Sequence, residues 1–178
     1  MNNFPKKIVL MGYMGSGKSS IGKKLAKAIG VKFVDLDDFI SEKEKLSISE
    51  IFDKKGEVYF RKKELEYLKE LLLNDLPMIL SLGGGTPTFF GAIELIKEHS
   101  FSIYLKAGVQ KLFDNLKLKK SERPLITNIS DDALQEYIAV HLFERSNYYL
   151  KADAIVEMDN KEKKDIVKEI VKLLSYSK

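Results

Sequence analysis

The sequence lacks cysteine altogether, and it contains no long hydrophobic run. The absence of cysteine excludes a disulfide scaffold and a zinc site built on thiolates, and it is compatible with a reducing compartment. The apolar stretch near the start covers only residues 8–11, far too short for the hydrophobic region of a signal peptide or for a membrane span. We therefore expect a cytoplasmic protein without a membrane partner.

Acidic residues are missing from the first part of the chain. None occurs before Asp35, whereas several lysines do, and a second basic cluster lies within residues 117–123. Such clusters are usually solvated faces. Nucleic acid is not expected as a partner, because the basic residues are not interleaved with aromatic ones and form no known binding module. A small polyanionic ligand explains the charge equally well.

Features that divide a chain into units are absent too: there is no internal repeat, low-complexity tract or linker rich in proline and glycine. A chain of 178 residues can bury roughly two-thirds of its unfolded surface as one domain. We expect residues 1–178 to form a single domain.

Short apolar segments alternate with longer segments of helical periodicity. Strands are predicted at residues 7–11, 31–34, 78–82, 102–105 and 154–156, and a helix is predicted from about residue 18 to 28. Residues 47–50 resemble a capping box, and Gly56 could end the helix that it opens. This alternation predicts a three-layer α/β fold in which helices cover both faces of a mainly parallel sheet and ligands bind beyond the carboxyl ends of the strands.

A phosphate-binding loop comes directly after the first predicted strand. Residues 12–19, GYMGSGKS, match the pattern G-x-x-x-x-G-K-[ST]. Glycines allow close approach to phosphates, and backbone amides at a helix start form an anion cradle. Lys18 would reach the β- and γ-phosphates, and the Ser19 hydroxyl would bind Mg²⁺. A chance glycine turn is disfavoured, because the loop lies between a strand and a helix as the mechanism requires.

The rest of the chain narrows the type of nucleotide-binding protein. A switch GTPase would need an N-K-x-D motif after a later strand, and none is present. A motor or transporter would normally need a longer chain. A small-molecule kinase suits this length.

Two carboxylates, Asp35 and Asp37, stand at the end of the second predicted strand. Phosphoryl transfer needs a group that orients the metal and one that accepts or positions the hydroxyl proton. Asp-x-Asp alone is a weak signal, since aspartates also favour helix N-termini. Beside a phosphate loop, Asp37 is the leading candidate for the catalytic base.

Four further segments contain candidate ligand-binding residues: GEVYFR at residues 56–61, GGG at 83–85, RPL at 123–125 and ERSNYY at 144–149. Taken alone, the first two have plain structural explanations. An arginine on a helix is usually solvated, and three glycines form either a ligand contact or a loose loop.

In their order and spacing, these motifs resemble those of shikimate kinases over about residues 7–150. The resemblance implies the nucleoside-monophosphate-kinase fold, with five parallel strands in the order 2-3-1-4-5 and a mobile lid at about residues 117–129. It also implies a substrate-binding region at about residues 35–64. The implied reaction is transfer of the γ-phosphate of ATP to the 3-hydroxyl of shikimate, with Mg²⁺, in aromatic amino-acid biosynthesis. A monomer is expected.

The resemblance also implies residue roles. Lys18, Asp37 and Arg123 would be catalytic, with Arg123 swinging in on the lid. Asp35 would hold Mg²⁺ through water, together with Ser19. Glu64 would orient the arginines. ATP would contact Gly15, Ser16, Gly17, Lys18, Ser19, Ser20 and Arg123, and shikimate would contact Asp37, Arg61, Gly83, Gly84, Gly85 and Arg145.

The chain departs from the family pattern around the adenine. An arginine that commonly stacks on the base shortly before R-P-L is replaced by LKLK at residues 116–119, and a proline before the last helix is replaced within residues 161–164. The adenine contacts are therefore left open. His99, His141, Tyr148 and Tyr149 are interpreted as surface or packing residues.

Three alternative functions are also compatible with a phosphate loop or a basic surface. They are a kinase for another small hydroxylated acid such as gluconate, a nucleotide-binding switch without catalysis, and a nucleic-acid-binding protein. The R-P-L lid and the second arginine argue against the first, and the paired arginines with Asp37 argue against the second. The third is the weakest.

Overall fold

The computed structural model describes residues 4–118 and 124–176 of the chain. The strands are β1 (Lys7–Met11), β2 (Lys32–Asp35), β3 (Met78–Ser81), β4 (Phe101–Lys106) and β5 (Ala154–Glu157). The helices are α1 (Lys18–Ile29), α2 (Leu36–Glu44), α3 (Ile48–Leu73), α4 (Ala92–His99), α5 (Val109–Lys117), α6 (Pro124–Thr127), α7 (Asp131–Tyr149) and α8 (Lys163–Tyr176), with a 3₁₀ turn at Thr86–Thr88. The predicted strands are confirmed, with ends that shift by one residue.

The five strands form one parallel sheet in the order β2-β3-β1-β4-β5, as the resemblance implied. The register pairs Ser81 with Leu10 on one side and with Asp35 on the other. The carboxyl ends of β1, β2 and β3 therefore lie level, and the loops after them meet at one edge of the sheet.

Helices cover both faces of this sheet. The connection from β1 to β2 runs in one direction across the sheet, and the later connections run in the other. Right-handed crossovers therefore place α1 on one face and α3, α4, α5 and α7 on the opposite face. The last helix, α8, returns to pack against α1.

The core is richest around the central strand. Every residue of β1 is buried, including Lys7, whose Nζ donates to Asn74 Oδ1 and to the Leu76 carbonyl at 2.5 Å each. Burying a charged side chain is costly unless it is hydrogen-bonded, and these two acceptors offset part of that cost. The first strand thereby anchors the loop between α3 and β3.

The region between β2 and β3 consists of α2 and α3. The capping box is confirmed: Ser47 accepts from the Glu50 amide, and the Glu50 carboxylate accepts from the Ser47 amide. Gly56, at φ 83° and ψ 168°, interrupts the helical backbone, but a new helical segment starts at once. Gly56 thus marks a kink in α3 rather than its end.

The predicted lid falls partly on residues 119–123, which lie outside the described residues. Arg123 is among them. The part of the predicted lid that the structure describes includes α6, in which the Ile126 side chain is fully buried. The mobility of the lid stays a prediction. In the described ranges, no helix is long and apolar enough to cross a membrane.

Candidate active site

The phosphate loop joins β1 to α1 at the centre of the sheet edge. Gly15 and Gly17 have φ values of 81° and 94°, which ordinary residues rarely adopt. Helix α1 begins directly at Lys18, so its unpaired N-terminal amides face the loop. The Lys18 Nζ donates to the carbonyls of Gly12 at 2.8 Å and Tyr13 at 3.0 Å. The loop thus has the backbone geometry that an anion-binding cradle requires.

Two serines of the loop are suited to contact a nucleotide. The Ser16 hydroxyl is buried and has no hydrogen-bond partner among the described residues. A buried hydroxyl without a partner is costly, and a phosphate oxygen would supply one. The Ser19 hydroxyl, in contrast, donates to Asp35 Oδ2 at 2.7 Å. The two residues predicted to hold the metal are therefore in direct contact.

Asp37 lies beside this pair, in the first turn of α2, and its amide donates to Asp35 Oδ1 at 3.2 Å. Burial of the carboxyl group is the largest cause that raises the pKa of Asp37, to about 6. The negative charges of Asp35 and Glu64 act in the same direction, and the positive charge of Lys18 acts against them. A base with a pKa near neutrality is well matched to accept a proton at physiological pH.

The residues predicted to bind the phosphate acceptor come together at the three glycines after β3. A Cβ placed on Gly83 would lie 3.3 Å from Asp37 Oδ1, and one on Gly85 would lie 3.0 Å from Arg61 Nη2. A Cβ on Gly84 would lie 3.6 Å from Arg145 Nη1. Each glycine therefore faces one of the residues predicted to bind the phosphate acceptor. A larger side chain at these positions would fill the space beside those residues.

Arg61 is held by a buried carboxylate. Its Nη1 donates to Glu64 Oε2 at 2.8 Å, and the other oxygen of Glu64 accepts from the Thr86 hydroxyl at 2.6 Å. Glu64 is only 2% exposed, so this ion pair is shielded from solvent. The prediction that Glu64 orients an arginine fits Arg61. Thr86, which no sequence motif indicates, connects the pair to the glycine loop.

Arg145 reaches the same loop from α7. Its guanidinium lies 5.6 Å from the centre of the Tyr13 ring. The Tyr149 hydroxyl donates to the Gly84 carbonyl at 2.5 Å. Tyr149 is fully buried, as expected of a packing residue, but its hydroxyl also bonds the acceptor loop. The only signal in the sequence was its place in the E-R-x-x-x-Y motif.

The phosphate loop and the two aspartates line a cleft of about 550 Å³ at the carboxyl edge of the sheet, whereas Arg61 and Arg145 are not among its lining residues. Its lining includes the phosphate loop, Asp35, Asp37 and residues 81–84. The remaining lining residues are Lys111, Asn115, Leu118, Met158, Lys161, Lys163 and Ile166. The two stretches that depart from the family pattern thus contribute Leu118, Lys161 and Lys163 to the cleft.

Asn115 and Leu116 were not assigned a role from the sequence. The Asn115 side-chain amide donates to the Gly15 carbonyl at 2.8 Å, and a Cβ on Gly15 would lie 2.9 Å from Leu116. Helix α5 therefore packs directly against the phosphate loop. No motif indicates this contact, because it depends on the position of α5 above the sheet edge.

A family model described as shikimate kinase matches residues 14–175. A shikimate kinase of Flavobacterium psychrophilum is 47% identical over 170 residues, which cover 95% of this chain and 99% of the relative. The match therefore extends from the phosphate loop through α8.

Solved structures show the same similarity in three dimensions. The shikimate kinase of Bacteroides thetaiotaomicron superposes with a TM-score of 0.89 at 31% identity, covering 94% of this chain and 97% of that one. The shikimate kinase of Acinetobacter baumannii, solved in complex with shikimate, superposes with a TM-score of 0.87 at 29% identity, covering 97% and 93%.

Proposed function

The chain belongs to the shikimate kinase family, and from this premise we propose that it transfers the γ-phosphate of ATP to the 3-hydroxyl of shikimate. The observation that carries the proposal is the glycine loop at residues 83–85, which brings Asp37, Arg145 and Arg61 together beside a phosphate loop. The product, shikimate 3-phosphate, belongs to aromatic amino-acid biosynthesis.

On the donor side, the triphosphate would lie in the loop of residues 12–19. The amides at the start of α1 and the Lys18 ammonium would neutralise the β- and γ-phosphates. The partnerless Ser16 hydroxyl supports this arrangement, since it is buried where a phosphate oxygen would accept its proton. Gly15, Gly17 and Ser20 would contribute the remaining loop contacts.

On the acceptor side, Arg61 and Arg145 would bind the carboxylate of shikimate. A guanidinium presents donors in a fork that matches both oxygens of a carboxylate. Arg61 is fixed for this by Glu64, and the neighbouring glycines Gly84 and Gly85 face Arg145 and Arg61 respectively. The acceptor ring would then lie against the glycine loop, with a hydroxyl toward Asp37.

The transfer step needs one base. The 3-hydroxyl oxygen forms a bond to the γ-phosphorus, the bond between that phosphorus and the bridging oxygen of ADP breaks, and the hydroxyl proton passes to an Asp37 carboxylate oxygen. Asp37 suits this role because its pKa is raised to about 6. Arg123, outside the described residues, would stabilise the charge on the transferred group from the lid.

Mg²⁺ fits the residues at the loop. The Ser19 hydroxyl and the Asp35 carboxylate are oxygen donors of the kind that Mg²⁺ prefers, and they are already in contact. When bound, the ion would neutralise phosphate charge, with Asp35 acting through water.

We also propose that residues 1–178 form one kinase domain that works as a cytoplasmic monomer. The continuous sheet supports the single domain. Adenine would lie in the part of the cleft that Leu118 and Met158 line, where these side chains offer apolar contacts.

A coupled ADP-release assay tests the proposal. ATP is supplied with shikimate, quinate or gluconate, and a reaction without acceptor measures hydrolysis by water. Shikimate is expected to raise ADP release far above this background. Equal release with all acceptors would contradict the assignment.

Arginine variants test the acceptor site. Arg61→Ala and Arg145→Ala are each expected to weaken shikimate binding by about 2–5 kcal/mol, with little change for ATP. Lys62→Ala, an exposed neighbour on α3, is the matched control. Normal shikimate affinity in both arginine variants would place the acceptor elsewhere.

A further inference from the structure

Arg145 and Arg61 are held in different ways. Arg61 forms an ion pair with a buried carboxylate, whereas within the described residues no carboxylate lies within ion-pair distance of Arg145. Two tyrosines contact Arg145 instead, and no role in binding or catalysis was assigned to them. We infer that Tyr13 and Tyr149 are positioning residues that orient Arg145 toward the acceptor carboxylate. The inference rests on the proposed function, because it takes Arg145 as a ligand of that carboxylate.

Tyr149 acts through its hydroxyl. The hydroxyl donates its only proton to the Gly84 carbonyl at 2.5 Å, so its lone pairs remain available as acceptors. The Arg145 guanidinium lies beside this oxygen: burial raises the pKa of Tyr149, and the nearby Arg145 charge opposes that shift. The Tyr149 hydroxyl, anchored on the backbone of the glycine loop, thus offers a hydrogen-bond acceptor to the Arg145 guanidinium, which can only donate hydrogen bonds.

Tyr13 acts through its ring. The Arg145 guanidinium lies over the ring face at 5.6 Å, within the range of a cation–π contact. The Tyr13 hydroxyl is buried and has no hydrogen-bond partner among the described residues. Because an unpaired buried hydroxyl is unfavourable, the benefit of an aromatic residue here must come from the ring.

The two contacts fix Arg145 relative to both halves of the site. Tyr13 belongs to the phosphate loop, and a Cβ on Gly84 would lie 3.1 Å from the Met14 amide of the same loop. An arginine side chain has many rotamers, and holding it in one costs conformational entropy. Because the side chain is already supported on two sides, less conformational entropy is lost when the acceptor binds, as preorganisation achieves in general.

The ring and the hydroxyl can be tested separately, because phenylalanine keeps one and removes the other. Tyr149→Phe is expected to raise the KM and Kd for shikimate roughly 5- to 10-fold, the loss typical of one hydrogen bond, with the KM for ATP changed less than about twofold. Tyr104→Phe is the matched control, since this buried tyrosine stacks on Tyr149 at 5.1 Å but takes no part in the Arg145 contacts.

At position 13, in contrast, replacement by phenylalanine should have little effect on shikimate binding. Tyr13→Leu is expected to raise the KM for shikimate, and Tyr13→Phe is expected to rescue most of that loss, because the ring is retained. Equal effects of Leu and Phe would overturn the ring assignment. Melting temperatures separate these effects from unfolding, and the two Tyr13 variants decide the matter independently if Tyr149→Phe does not fold.

A double-mutant cycle tests whether Tyr149 acts through Arg145. In the Arg145→Ala background, Tyr149→Phe is expected to leave kcat/KM for shikimate unchanged. A loss of the same size in both backgrounds would mean that Tyr149 acts independently of Arg145, which overturns the inference. If Arg145→Ala itself binds shikimate normally, the proposed acceptor site fails. If only the tyrosine variants are silent, that site stands and the positioning role fails.

Discussion

Lys18 is held inside the phosphate loop by the loop's own backbone. Its ammonium bonds the carbonyls of Gly12 and Tyr13, so the side chain is placed before any nucleotide binds. Preorganised charge of this kind is effective in catalysis because it needs no rearrangement during the reaction.

Lys18→Ala is therefore expected to lower kcat by roughly 10²–10³ or more, because the phosphate charge loses its nearest cation. The variant should still fold, at a cost of about 1–3 kcal/mol for two carbonyls left without this donor. Steady-state kinetics and circular dichroism measure the two effects. Lys24→Ala, at an exposed position of the same helix, is the control and should keep wild-type turnover. Near-normal activity of Lys18→Ala would remove the phosphate-loop assignment.

Asp37 combines a raised pKa with contact to the glycine loop. Asp37→Asn keeps the shape of the side chain but removes its ability to accept a proton. We expect kcat to fall roughly 10²- to 10⁴-fold, the usual contribution of a general base, with little change in the KM for ATP. Asp38→Asn, at the exposed neighbouring position, should be nearly silent. A small effect at Asp37 together with a large one at Asp38 would contradict the choice of base.

Glu44, a carboxylate at the end of α2, bonds three side chains of α3. Glu44 accepts from the hydroxyls of Tyr59 and Tyr67 at 2.7 Å each and from Lys55 at 2.9 Å. The two tyrosines lie on either side of the α3 segment that bears Arg61. Glu44 therefore helps to fix the part of α3 that faces the acceptor site.

This cluster predicts a pH dependence of stability. The hydrogen bonds from Tyr59, Tyr67 and Lys55 lower the pKa of Glu44 from 4.5 to about 2. Since the folded-state pKa lies below the unfolded-state pKa, the ionised carboxylate stabilises the fold fully above about pH 4.5, and this contribution is lost as pH falls toward about 2.

Glu44→Gln should lower the free energy of unfolding at pH 7, and the gap to the wild type should narrow as the pH falls below about 4.5. Denaturant titrations at several pH values measure both quantities. Glu42→Gln, on the exposed side of α2, is the control. A gap that stays constant with pH would show that the charge of Glu44 does not contribute.

At the scale of the whole molecule, we expect closure of the cleft to decide whether water reaches the γ-phosphate. Water in an open cleft would compete with the shikimate hydroxyl, so closure over both substrates is expected. The segment predicted to close, residues 117–129, connects α5 with α7. Both helices border the site, through Asn115 and Arg145 respectively.

Hydrogen exchange tests this closure. Amides within residues 117–129 are expected to gain protection with ligands bound, and most when nucleotide and shikimate are present together. The amides of β1 serve as the internal control, because that strand is fully buried and should be protected in every state. Equal protection of the segment in the free and doubly liganded protein would mean a fixed wall, and Arg123 would lose its role as a mobile charge stabiliser.

Much of the architecture was determined by local sequence. The strands are predictable because each is a short, mainly apolar segment, and the capping box at Ser47 and Glu50 is predictable because both partners lie within one turn. The phosphate loop is local in the same sense: its glycines, its lysine and its helix start are contiguous. Family resemblance then supplied the strand order, which periodicity alone does not contain.

Tertiary structure alone decided which distant residues touch. Periodicity indicates that a side chain is buried but not what it meets, so Tyr149 could be assigned to packing while its bond to Gly84, 65 positions away, stayed hidden. Glu64 and Thr86 meet only because α3 packs against the turn that follows β3. Likewise, Tyr13 lies against Arg145 only because the packing of α7 brings that side chain to the phosphate loop. These contacts depend on how the elements pack, and no local pattern encodes that.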